Sequence, residues 1–326
     1  FNIFQELKIV SISSTDSFRV ASLPLIKNHK IGISQSGYPM FFIKCEDVGN
    51  VKSIDCNLEF ITVQFNRSCQ LQNNNKKAEE GVYTIISLKT DSIDLQEYFL
   101  DIVYLVIKKL PQRPNMKGLK VEVDKLINLF SKFSQPAIKT IQGLWAELLI
   151  IEQSYNPDYL IQAWHSSSTD KFDFNDGVDK VEVKSTSKSR RIHNFSIEQL
   201  NPNKNSNLII ASIFTVETGI GDSVFSLVES IVRKLKDKQL SFRINEIIAQ
   251  TLGKDFEKAF DIFYDYQLAI DSIAYFDSCD VPSINTNNIP KEVKNVRFES
   301  DLTDLPCLKK NQAKSVLHKS LFQHYL

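Results

Sequence analysis

From Phe1 to about Thr90 the chain alternates apolar-rich runs, FRVASL, YPMFFIKC, LEFITVQF and GVYTIISL, with polar stretches such as QNNNKKAEEG. Short runs of β-branched and aromatic residues bounded by turn-formers predict strands, so this part reads as an antiparallel β-rich module. The segment DLQEYFLDIVYLVIKKL has helical length and period, and PQRPNMKG, with two prolines and a glycine, stops it. A first boundary is therefore expected near residue 115. Beyond it, VDKLINLFSKF and, after Pro136, AIKTIQGLWAELLIIEQ predict two helices. YLIQAWH, KFDFN and KVEVKST predict three short strands. A basic, polar stretch runs on to Gln199, the apolar run NLIIASIFTV predicts a buried strand, and SVFSLVESIVRKL and FEKAFDIFYDYQLAI predict two more helices. The tail carries prolines at 282, 290 and 306. The expected organisation is a β-rich module ending in a helix over 1–115, an α/β core with following helices over 116–270, and an extension over 271–326.

The length of 326 residues and the apolar content allow a sizeable core. Lysine plus arginine and aspartate plus glutamate number 39 each, so no global field draws the chain to nucleic acid or an anionic membrane, and any nucleic-acid surface must be local. The five cysteines, Cys45, Cys56, Cys69, Cys279 and Cys307, show no CxxC spacing, which argues against a disulfide framework and a zinc site. A reducing, cytoplasmic setting is expected, with no membrane partner, since neither a signal peptide nor an 18-residue apolar span is present. The chain begins at Phe1 without an initiator methionine.

The chemistry concentrates around DFNDGVDKVEVKS. Successive strand side chains point to opposite faces, so Glu182 and Lys184 share one face while Val181 and Val183 take the other. A turn through Asn175, Asp176 and Gly177 would fold KFDFN onto this strand as a hairpin and bring Asp173 beside Glu182. Upstream, Glu147 lies in GLWAELLII with Gly143, Leu144, Ile150 and Ile151 as its helical neighbours. A carboxylate in such surroundings costs several kcal/mol unless a cation pairs with it. Two or three carboxylates with room for water and substrate oxygens suit Mg2+, with Mn2+ as a substitute, and a lysine on the same face could serve an attacking water.

A lone Glu-x-Lys is weak evidence, because it recurs at Glu6/Lys8 and Glu292/Lys294. The wider pattern GLWAELLIIEQ, AWH, FDF, VEVKST and RIHNFSIEQL, from about Gly143 to Leu200, resembles the PD-(D/E)xK nuclease superfamily, and within it a bacterial family associated with restriction and phage-defence loci. The resemblance implies an α/β, restriction-endonuclease-like core of helix, strand meander, helix and strand, with a β-rich N-terminal module and a C-terminal helical region. It implies metal-dependent hydrolysis of DNA, with Glu147, Asp173 and Glu182 as metal ligands and Lys184 beside them as the fourth catalytic residue. Phe172 stands where the motif proline would be, which leaves Asp170 and Asp176 as alternative ligands.

Downstream, Lys188, Arg190, Arg191, His193 and Lys204 crowd a short interval rich in hydroxyl side chains. Following directly on the strand with Glu182 and Lys184, they are candidates for phosphate contacts, with Gln199 as a further DNA contact or a backbone cap. His165, just before the acidic hairpin, reads as a strand-end surface residue near the site, and Trp164 as core. DNA is thus the expected partner, with a homodimer and partner proteins of a defence system as further expectations. The rival reading is a non-catalytic nucleic-acid-binding or assembly protein that keeps the nuclease fold. A nucleotide hydrolase is disfavoured by the absence of a GxxxxGK[ST] loop.

Overall fold

A computed structural model describes residues 2–9, 17–46, 53–73, 78–165, 170–201, 206–285 and 289–308. Lys204 lies outside the described residues. The chain divides into two compact units between Pro136 and Ala137.

In the first unit, α1 (Asn2–Ile9) precedes β1 (Ser17–Ser22), β2 (Lys30–Ile33), β3 (Pro39–Ile43), β4 (Cys56–Asn57), β5 (Ile61–Asn73) and β6 (Ala78–Leu88). The sheet order is β1-β2-β3-β6-β5-β4, and β1 also pairs with β5 in parallel, so β1, β2, β3, β6 and β5 close into a barrel. A bulge between Gln64 and Arg67 bends the long β5–β6 ribbon. The helices α2 (Ile93–Ile107) and α3 (Met116–Ser131) follow, with Ser92 and Asn115 capping their first turns. Phe99 of α2 packs on Phe41 of β3 and on Phe130 of α3. This is why the Pro/Gly break at 111–118 separates two helices of one unit: α3 buries its Leu119, Val123 and Leu126 stripe within the first unit.

The second unit starts with α4 (Ile141–Glu152), capped by Thr140. The segment expected as a strand, YLIQAWH, is instead mostly helix, α5 (Pro157–Ala163). Asn156 caps it, Pro157 opens it with a preset φ, and Leu160 and Ile161 face inward. Only Trp164 bridges to Phe174 in the manner expected of a strand. Then come β7 (Phe174–Asn175), β8 (Asp179–Thr186), β9 (Ile192–Ser196), a 3-10 turn over Ile197–Leu200, β10 (Asn207–Phe214), β11 (Glu217–Thr218), α6 (Val224–Lys234) and α7 (Leu240–Leu252). The sequence pattern passed over α7, whose Ile244, Ile248 and Leu252 are buried at four-residue spacing. The stretch expected as one helix from Phe256 breaks into a 3-10 turn, β12 (Phe263–Tyr264) and α8 (Tyr266–Ser272), because Tyr264 exchanges backbone hydrogen bonds with Asp222 and Asp265 caps a new helix. β13 (Ala274–Asp277) and β14 (Arg297–Asp301) complete the described elements.

The sheet that carries the chemistry has the order β13-β10-β8-β7, with β10 parallel to β8 and β13 antiparallel to β10. The segment after 270 is thus built into the core rather than appended to it: β13 extends this sheet, and β14 pairs with β9. Phe276 joins Phe172, Phe195, Leu208 and Ile210 in one apolar cluster. None of the described helices is long and apolar enough to cross a membrane.

Candidate functional site

The hairpin forms as its residues require. Phe174 pairs with Val181 and Asn175 with Lys180, so the next step of the register sets Asp173 opposite Glu182. Asp176 accepts hydrogen bonds from the N–H groups of Val178 and Asp179, Asn175 from that of Gly177, and Gly177 takes φ 94°, which favours glycine. Asp176 also receives the Tyr159 hydroxyl, so it is committed to the turn. Asp170 lies on the wall of the cleft and holds Asn175.

Glu147, Asp173 and Glu182 come from α4, from the residue before β7, and from β8, and all are at least 97% buried. They line a cleft of about 640 Å3 together with Lys184. Val181 and Val183 are buried on the opposite face of β8, as the alternation required. One Asp173 oxygen accepts the Val183 N–H at 2.7 Å, tying the aspartate to the edge of β8. Glu147 Oε2 accepts the Trp164 indole N–H at 2.7 Å and lies 2.9 Å from His165 Nε2. Glu182 Oε1 faces Lys184 Nζ at 2.8 Å and the Gln199 amide, while its Oε2 is buried with no hydrogen-bond partner. Gln199 uses its carbonyl oxygen to cap the Ser196 N–H at 3.0 Å and to receive Lys184 at 3.2 Å, so it holds the site together.

The cation that Glu147 demands is Lys139, which the sequence reading did not single out. Its ammonium lies 2.6 Å from Glu147 Oε1 and also bonds Asp173 Oδ1. The signal was the unpaired carboxylate on an apolar helix, but nothing local says which lysine answers it. Burial opposes ionisation of Lys139, yet Asp173, Glu147 and Glu182 hold its ammonium charged well above the usual range. Burial alone would raise the Glu147 carboxyl, but Lys139 and His165 bring it to about 2. Asp173 is raised by burial and by Glu147, against Lys139. Glu182 is raised to about 7 by burial and then by Asp173, with Lys184 opposing. Three carboxylates thus share a pocket whose cations do not satisfy all of them.

By contrast, the buried Glu152 is an internal structural carboxylate, filled by Lys234, Ser230, Tyr266 and Gln153. The other Glu-x-Lys pairs are incidental. Lys8 bonds Gln96, and Glu292 and Lys294 are exposed.

The residues expected to bind DNA divide. Arg190 pairs with Asp301 at the surface, and Lys188 is exposed. Arg191 turns inward, donating to the carbonyl and hydroxyl oxygens of Ser212 and to the Ser272 carbonyl, and covers the Phe214 ring. It braces β10 against the last residue of α8. His193 is 3% exposed with Nε2 2.7 Å from Ser212 Oγ, and burial, followed by the charges of Lys184 and Arg191, lowers it to about 4. Among the described residues, the exposed cations that line the cleft are Lys171 and Arg297. They sit far apart in sequence, so no charge run marked them.

The buried His193 has a consequence for acid stability. Above its ordinary value of 6.5 both folded and unfolded chains carry neutral imidazole; between 6.5 and about 4 only the unfolded chain takes up the proton, so stability falls as pH falls. The total loss is about 3 kcal/mol. His193→Gln, which keeps an amide for Ser212, is expected to remove this part of the acid sensitivity. Denaturant titrations of both proteins at pH 7 and pH 4 measure it, and equal acid losses would contradict it.

The carboxylates, with a lysine ammonium already held between two of them and a buried Glu182 oxygen left without a partner, have the donor set of a hard divalent cation. Glu147, His165 and Asp173 each offer a ligand atom within 4.8 Å of the others. No curated protein and no solved structure matches this chain. A family described as "Putative PD-(D/E)XK family member, (DUF4420)" matches residues 2–303, and with more than half of its length covered the chain belongs to that family.

Proposed function

We propose that this protein is a metal-dependent deoxyribonuclease with a restriction-endonuclease-like core formed by α4, β7, β8 and β10, acting in restriction or phage defence. The observation that carries the reading is the convergence of Glu147 of α4, Asp173 just before β7 and Glu182 of β8 on one cleft, with Lys184 bonded to Glu182. A bound divalent ion would polarise a phosphoryl oxygen, acidify a water and offset charge on the leaving oxygen. Asp173 and Glu182, with Glu147 behind them, would hold it. Lys184, fixed by Glu182, Gln199 and the Phe195 ring at 4.9 Å, orients the attacking water and balances negative charge as it develops. The defence role rests on the family resemblance, and Mg2+ is the first ion to test.

The test incubates the purified protein with plasmid and phage DNA in Mg2+, Mn2+ or EDTA, beside Lys184→Ala. Cleavage that needs the metal and falls by about a hundredfold or more in the variant supports the reading. Equal cleavage in EDTA, or by the variant, would refute it. One observation favours the non-catalytic alternative: Lys139 already neutralises two of the carboxylates. An inert protein that binds DNA identically with and without metal would establish that alternative.

Phosphate contacts are assigned to Lys171 and Arg297. Replacing both with alanine is expected to weaken binding alike across sequences and to reduce the slope of log affinity against log salt by about 2. Arg191→Ala is expected to leave that slope unchanged and to destabilise the fold, because it strips donors from the Ser212 and Ser272 carbonyls. A reduced slope in Arg191→Ala alone would reverse the assignment.

A further inference from the structure

We propose that His165 is a direct nitrogen ligand of the site, so that the cleft selects a first-row transition-metal dication, with Mn2+ as the probe, over Mg2+. This rests on the metal-dependent reading and specifies the ion. Four observations carry it. His165 Nε2 is 2.9 Å from Glu147 Oε2, and the donor atoms of Glu147, His165 and Asp173 span no more than 4.8 Å. Donors about 2.0–2.2 Å from one ion lie about 3.0–3.5 Å apart, so the most separated pair closes by up to about 1.5 Å when an ion is bound.

Second, the backbone presents the ring deliberately. His165 has φ 42°, its N–H donates to the Asp173 carbonyl at 3.1 Å, and Arg243 of α7 reaches the carbonyls of Ile161 and Trp164 just before it. A left-handed non-glycine residue is held there only by its surroundings. Third, Glu147 and Asp173 already converge on one cation, the Lys139 ammonium, whose place between them the metal ion would take. Fourth, the Glu182 Oε2 atom, buried and without a hydrogen-bond partner, supplies a further open oxygen on the same cleft.

The chemistry then separates the ions. Mg2+ demands near-octahedral oxygen donors and retains its waters, whereas an imidazole among carboxylates favours the transition series. Ligation uses the tautomer with its proton on Nδ1, which leaves the Nε2 lone pair for the ion.

The experiment titrates the full chain with Mg2+ and with Mn2+ by calorimetry and records pulsed electron paramagnetic resonance of the Mn2+ form. His165→Ala and His165→Gln are compared, the glutamine keeping an amide donor for Glu147. Expected are Mn2+ binding about tenfold or more tighter than Mg2+, and nitrogen modulation in the Mn2+ spectrum. Both variants lose the modulation and most of the Mn2+ preference, with Mg2+ affinity little changed. Mn2+ that binds without nitrogen modulation, or modulation that persists in both variants, would overturn the assignment while leaving the metal-dependent reading intact. Binding of neither ion to the wild-type protein would overturn both.

Discussion

Replacing Lys139 with methionine is expected to cost the metal-free protein about 3–5 kcal/mol, the scale for removing one partner from a buried ion pair. The ammonium is the shared counter-ion of Glu147 and Asp173, which are at least 97% buried, and its side chain is 30% exposed, so water replaces it poorly. Without it, Glu147 loses the charge that holds its carboxyl at about 2, and Asp173 loses the main influence opposing its upward shift. A divalent cation can take over that duty. At a metal concentration of about a hundred times the dissociation constant, binding returns about 2.7 kcal/mol, and more binding energy is available in the variant because no ammonium has to be displaced. Calorimetric melting in EDTA and in Mg2+ or Mn2+ measures both effects. A loss under about 1 kcal/mol in EDTA would mean that the pair contributes no more than a surface salt bridge.

Glu182→Gln is expected to abolish cleavage while preserving the fold. Changes to groups that only support a metal ligand cost about 10–100-fold in affinity or activity, so loss of a ligand itself should exceed a hundredfold. The stability effect has the opposite sign. Burial and Asp173 raise Glu182 to about 7, so between its ordinary value of 4.5 and 7 the unfolded chain releases a proton that the folded chain retains. Stability conferred by the protonated form is lost as pH rises through that window, and above it the folded protein carries a disfavoured charge. Glutamine is neutral throughout and its carbonyl can still accept from Lys184 and Gln199. The metal-free variant is therefore expected to match wild type at pH 4.5 and exceed it at pH 8, by up to about 3 kcal/mol. Denaturant titration at the two pH values, in EDTA, supplies the comparison. A variant less stable than wild type at pH 8 would assign Glu182 to a structural ion pair with Lys184.

Much of this site was legible along the chain because its signals are local. The alternation in KVEVKS separates Val181 and Val183 from Glu182 and Lys184 whatever lies around them, and the turn formers Asn175, Asp176 and Gly177 fix the register that sets Asp173 opposite Glu182. Thr140 and the apolar run after it similarly define α4 and place Glu147 on it. The strands and helices at α2, β8, β10 and α6 follow from the same short-range periodicity. Even the need for a cation near Glu147 could be stated from sequence, as an energetic demand.

What answered that demand was decided by tertiary structure. Lys139 precedes α4 by two residues and could have pointed anywhere, and only the approach of Asp173 across 34 positions of sequence turns it inward. Arg191 and His193 belong to one basic run with Arg190, yet Ser212 on β10 draws both inside while Arg190 remains at the surface. YLIQAWH has enough apolar residues for a strand, and the Asn156 cap with the packing of Leu160 and Ile161 makes it a helix. β13 joins the sheet through pairing with a strand more than sixty positions earlier, which no window around it can register. Periodicity and turn chemistry act over a few residues, so sequence by itself determined which atoms share a face. Which cation neutralises a buried carboxylate, and which basic side chain meets solvent, depends on desolvation and pairing with residues distant along the chain, and these exist only once the second unit has folded.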